Sequence, residues 1–78
     1  MTTPGQIRAA RALLDLSQVD LAARAQRSIS TLKRAESDIS SPTSAAALAA
    51  IRAALEAAGV EFISENGGGA GVGVRLKS

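Results

Sequence analysis

Seventy-eight residues with no Cys, no His and a single aromatic, Phe62, make one small domain that can form no disulfide. The missing types argue against zinc and haem sites, remove the commonest general base and the thiol nucleophile, and disfavour a platform of rings that stacks unpaired bases. Net charge is +2, and the excess lies in residues 1–38, with six Lys/Arg against four acids; residues 39–78 hold three of each sign. That asymmetry hints at a polyanionic partner.

The first helix is expected from about Pro4 to Leu14. Pro4 suits a first turn, where its missing N–H costs nothing. Ile7, Ala10, Leu13 and Leu14 form the apolar stripe. Asp15 and Leu16 make a short break. Ser17 reads as an N-cap with Asp20 three residues on, in a capping-box-like pattern. Helix two then covers Gln18 to about Ala25, with Val19, Leu21, Ala22 and Ala25 available to a core. Gln26 and Arg27 fall in a tight break, Ser28 caps again, and helix three covers Ile29 to Glu36.

The stretch "SDISSPTS", Ser37–Ser44, reads as a loop from its Ser, Asp and Pro content. Thr43 or Ser44 then caps a long helix to about Ala58, striped by Leu48, Ile51 and Leu55, and Gly59 is its stop. This Ala-rich segment, interrupted by Arg52 and Glu56, is too short to span a bilayer. No signal peptide is apparent at the N-terminus. A cytoplasmic protein is expected.

Beyond Gly59 the composition changes. "VEFIS" (Val60–Ser64) and "VGVRL" (Val72–Leu76) are alternating and β-branched, and "ENGGGAG" (Glu65–Gly71) joins them, so a β-hairpin is expected. The glycines do not form a phosphate loop. They lack the G-K-[ST] ending, fit no G-x-G-x-x-G window and precede no helix. A two-stranded hairpin is marginal alone and leaves unpaired edges. Val60, Phe62, Val72, Val74 and Leu76 are therefore expected to supply contacts for a second subunit.

Two short helices joined by a tight turn and preceded by another helix form a helix-turn-helix pattern. "LSQVDLAARAQRSISTLKRAE", Leu16–Glu36, resembles the phage-repressor (Cro/XRE-type) family of DNA-binding regulators. The resemblance rests on Gln18 opening helix two, the Leu21-Ala22 pair, Ala25 before the turn, Leu32 within helix three and the closing Glu36. It covers about residues 5–58. The tail, "ALEAAGVEFISENGGGAGVGVRL", is similar to that of a bacterial subgroup of small single-domain XRE-type regulators. The implied fold is mainly α, four helices carrying the helix-turn-helix over residues 1–59, with residues 60–78 as a dimerising strand extension of the same unit.

The resemblance implies a double-stranded DNA partner, no cofactor, no metal and no catalysis. It assigns Ser28, Ile29, Ser30, Lys33 and Arg34 to the DNA-facing side, Thr31 to a backbone contact and Gln18 to a phosphate. Arg27 joins this group at the turn, and Arg8 and Arg24 are weaker phosphate candidates. The plainer readings are a solvated face for Lys33 and Arg34, a core pair for Ile29 with Leu32, a capping role for Gln18 and bare surface for Arg8 and Arg24. The resemblance also implies an ion pair between Arg11 and Glu36 that fixes helix three. Two residues depart from the family pattern: Gln26 replaces a turn Gly and Arg27 an apolar residue. Either Arg27 lays its stem over the core, or the turn is re-registered and Ile29 fills the gap.

Two functions fit these features. One is a sequence-specific regulator acting as a homodimer on a pseudo-palindromic operator, with Ser28–Glu36 in the major groove. The other is a protein-interaction module, such as an antitoxin or anti-activator, built on the same fold.

Overall fold

The structure, a computed structural model, describes residues 2–37, 43–63 and 72–77. Four helices come first: α1 (Pro4–Leu13), α2 (Gln18–Ala25), α3 (Ile29–Ala35) and α4 (Ala45–Ala57). Strands β1 (Val60–Ile63) and β2 (Gly73–Leu76) follow as an antiparallel pair, with Val60 opposite Leu76 and Phe62 opposite Val74. Residues 38–42 of the expected loop, and the whole "ENGGGAG" connection, lie outside the described residues.

Each helix starts where a short hydroxyl side chain accepts an orphan backbone N–H. Thr3, Ser17, Ser28 and Ser44 all do so. At α1 and α2 the third residue, Gln6 or Asp20, reaches back to the cap backbone and completes a capping box. The helix ends fall slightly short of expectation. Leu14, Glu36 and Ala58 cap helices rather than extend them.

The two breaks share one construction. Asp15 (φ 56°) and Gln26 (φ 56°) adopt the left-handed conformation without being Gly. After α1, Leu16 N–H bonds Arg11 C=O and Asp15 N–H bonds Ala12 C=O; after α2, Arg27 N–H bonds Ala22 C=O and Gln26 N–H bonds Ala23 C=O. This double closure satisfies the last helix carbonyls as a Schellman turn does. After α4, Gly59 takes φ 112°, which L side chains rarely adopt, and turns the chain into β1.

The core is built from Ile7, Ala10, Leu21, Ala22, Ala25, Leu32, Ala35, Ile51, Leu55 and Val60. Its small Ala residues let the short helices approach closely. Two expected core residues stay outside: Val19 is 60% exposed and Leu13 is 44% exposed. Leu14, one position on, packs against the core instead. Val60 is corrected as a subunit contact. It is fully buried within its own chain, so its side chain has no surface to offer a partner.

Gln6 fixes the hairpin to α1. Its amide Nε2 donates to Ile63 C=O at 3.2 Å and to Gly73 C=O at 2.9 Å, bridging one residue pair of the ladder. On the other side, the Arg52 guanidinium of α4 lies 4.9 Å from the Phe62 ring centroid. Cation–π attraction adds to apolar burial there. The sheet is thus held by α1 and by α4.

Candidate nucleic-acid interface

The outer face of α3 carries the expected contact residues. Ser28, Ile29, Ser30, Lys33 and Arg34 are exposed, while Leu32, Ala35 and Glu36 are buried. At about 100° per residue, Ile29, Ser30, Lys33 and Arg34 fall within an arc of about 140°. Leu32 and Ala35 lie opposite. Ile29 stands at the margin of the arc, next to Leu32, and is 39% exposed. It presents apolar surface to solvent.

The start of α3 is tightly organised. Ser28 Oγ accepts from Thr31 N–H at 3.1 Å and donates to Thr31 Oγ1 at 2.9 Å. Thr31 is half-buried in this cap rather than fully open. The α3 cations, Lys33 and Arg34, are in its last turn, where they complement the negative end of the helix dipole.

The turn keeps its register. Gln26 supplies the left-handed residue, and Arg27 is exposed, its Nη1 donating to Gln26 C=O at 3.2 Å. Arg27 does not cover the core, and Ile29 does not fill a gap left by it. Both side chains belong to the outer surface of the turn and α3.

Behind that surface, one carboxylate gathers three elements. Glu36 accepts from Arg11 Nε at 2.9 Å and Nη2 at 3.1 Å, and from Gln18 Nε2 at 3.2 Å. Arg11 Nη1 also donates to Leu16 C=O at 3.2 Å. Glu36 is 5% exposed and Arg11 26%. Arg8, from the same helix as Arg11, donates to Glu36 C=O. The end of α3 is therefore tied to α1 and to the first residue of α2. Gln18 is held by Glu36 on one side, so it is neither bare surface nor the cap of α2, which is Ser17. Arg24 is exposed on α2.

Sequence reading did not find Gln6, whose bonds reach 57 and 67 residues along the chain. Its capping-box partner Thr3, followed by Pro4 and Gln6, was a local signal for the cap alone. Nor did it find Arg52 over Phe62, or the cross-strand pair of Arg75 with Glu61 at 2.8 Å. The alternating charge in "VEFIS" and "VGVRL" hinted at the latter.

Among the described residues no helix is long and apolar enough to cross a membrane, and no group of His, Cys, Asp or Glu is placed to hold a metal ion. No curated protein matches the chain at a significant level. A family model for helix-turn-helix proteins matches residues 7–59, which begins within α1, takes in α2 through α4 and stops at Gly59. With well over half the chain matched, and with a capped second helix, a three-residue turn and an outward-facing α3, this protein belongs to the XRE-type helix-turn-helix family of DNA-binding regulators.

Proposed function

We propose that the chain is a sequence-specific regulator that binds double-stranded DNA as a homodimer, with α3 in the major groove. The observation that carries this reading is the segregation on α3. Every residue of Arg27–Arg34 except Thr31 and Leu32 is exposed, and the Arg11–Glu36 pair anchors the helix from behind.

The major groove admits one helix, and residues near its N-terminus reach base edges. Ser28 and Ser30 are short enough to let the backbone approach. Ile29 offers methyl groups to a thymine methyl. Lys33 and Arg34 reach guanine O6/N7 or phosphates, and Arg27 reaches phosphate from the turn. Gln18 has a second amide proton for a phosphate while Glu36 holds the first. One module of this size buries little DNA surface, so two copies on a pseudo-palindromic site supply the contact area and the symmetry.

The test is a comparison of duplex binding at fixed salt by Lys33→Ala and Arg34→Ala. A residue bidentate to guanine costs about 1–3 kcal/mol and relaxes specificity at one position; a phosphate contact lowers affinity evenly and reduces the salt slope by about one. Unchanged affinity in both variants would remove α3 as the DNA surface.

A further inference from the structure

The hairpin has two outer edges, and the parity of the ladder says which backbone groups the β2 edge offers. Lys77 N–H bonds Gly59 C=O at 2.7 Å, one step beyond the Val60–Leu76 pair. Antiparallel pairs alternate between bonded and non-bonded. The Glu61–Arg75 and Ile63–Gly73 pairs are therefore bonded as well. It follows that the N–H and C=O of Val74 and Leu76 point away from β1.

On one face of that strand the side chains are apolar, and the two that flank the core-packed Val74 are open to solvent. Val72 is 46% exposed and Leu76 50% exposed, on the same side of the strand as Val74. Protein edges are usually blunted by an inward charge, a Pro or a bulge. Positions 72–76 contain none of these on the Val72, Val74 and Leu76 side. On β1 the equivalent residues are occupied: Val60 is buried and Phe62 lies beneath Arg52.

We propose that β2 pairs antiparallel with β2 of a second copy, with Val74 on the two-fold axis, to form a four-stranded sheet across the dimer. This rests on the homodimer reading above and gives it an edge and a register. Only residues 72, 74 and 76 face outward, so a symmetric pairing must match them with one another. Moving the axis to Arg75 sets Arg75 against its own copy, a like-charge contact. Moving it to Gly73 sets Val72 opposite the partner's Val74 and takes Leu76 away from all of residues 72–76 of the partner, so the two exposed apolar side chains no longer meet. An axis at Val74 sets Val72 opposite the partner's Leu76 twice, and Arg75 opposite Gly73. The two exposed apolar side chains then cover each other. Gln6, bound to both Ile63 and Gly73, keeps this edge rigid against α1.

The chain has no Cys, so single thiols report the register cleanly. Bonded cross-strand partners sit about 5.5 Å apart between Cα atoms, within disulfide reach. Full-length Val72→Cys and Leu76→Cys chains are mixed in equal amounts and oxidised mildly. A disulfide-linked dimer in the mixture, with little in either variant alone, is the expected result. Leu76→Lys should weaken self-association about tenfold or more in sedimentation equilibrium, with an unchanged circular dichroism spectrum. If the native chain is dimeric but the mixture does not cross-link selectively, the edge and register are wrong and the homodimer reading stands. If the native chain is monomeric both free and on specific duplex DNA, the homodimer reading fails and this proposal fails with it.

Discussion

Arg11 and Glu36 form a two-pronged ion pair, Nε to Oε2 at 2.9 Å and Nη2 to Oε1 at 3.1 Å, that joins α1 to the last turn of α3. The two partners are unequally buried, and this predicts unequal costs of removal. Arg11→Ala leaves a carboxylate that is 5% exposed without its counter-charge and with the neutral Gln18 amide still donating to it, whereas Glu36→Ala leaves an Arg that already reaches water. Breaking a buried pair costs up to about 3–5 kcal/mol. Arg11→Ala should cost about 3 kcal/mol and Glu36→Ala roughly half that, measured by urea unfolding with unchanged m-value. Equal or reversed costs would show that the carboxylate is rehydrated when its partner is lost.

Gln26→Gly should stabilise the fold. Gln26 holds the left-handed conformation at φ 56° and ψ 45°, where a Cβ costs roughly 1–2 kcal/mol. Part of the gain is offset by the greater freedom of Gly in the unfolded chain. A net gain of about 0.5–1 kcal/mol is expected, visible as a raised melting temperature. Its outward neighbours are untouched, so DNA affinity at fixed salt should not change.

Gln6→Glu tests the latch between α1 and the hairpin. A glutamate keeps the acceptor for Thr3 N–H but, when ionised, faces the carbonyls of Ile63 and Gly73 without a proton to share. The cost should be about 1–3 kcal/mol at neutral pH. Desolvation and carbonyl lone pairs favour the protonated acid, so its folded pKa is raised. Stability should recover as pH falls through that raised value, a dependence Gln6→Ala lacks. Denaturant midpoints at neutral and acid pH separate the two variants.

Arg75 holds the Glu61 carboxyl below its ordinary value of 4.5, by a hydrogen bond first and by charge second. The group is lowered on folding, so its contribution is present above the unfolded pKa and lost as pH falls through the folded one. Carbon-detected NMR titration should place the Glu61 midpoint below 4.5, and Arg75→Gln should move it upward. An unmoved midpoint would mean that the cross-strand pair is not populated in solution.

Local signals were legible wherever one residue decides a local geometry. Ser17, Ser28 and Ser44 mark helix starts because a short hydroxyl at a cap needs nothing from the rest of the chain. Gly59 marks a stop for a similar reason. What stayed hidden depends on residues far apart. Val60 alternates like a subunit contact, yet α4 covers it, and a strand pattern does not say which neighbour buries it. Val19 is apolar at the start of α2 but faces water because Leu21, Ala22 and Ala25 already fill the inward side. Arg27 and Ile29 were undecidable without knowing that Gln26 accepts a left-handed turn. Gln6 carries no sequence signal for its bridging role, which appears only when residues 63 and 73 come to it.

The proposed function stands on base reading by the exposed arc of α3. The most direct measurement is selection of bound fragments from random double-stranded DNA, run in parallel for the native chain and for Arg34→Ala. The prediction is a two-fold symmetric consensus for the native chain, with lost or altered preference at matching positions in both half-sites for the variant. A selection that enriches no sequence, or a consensus identical in the two chains and in Ile29→Ala and Lys33→Ala, would contradict it.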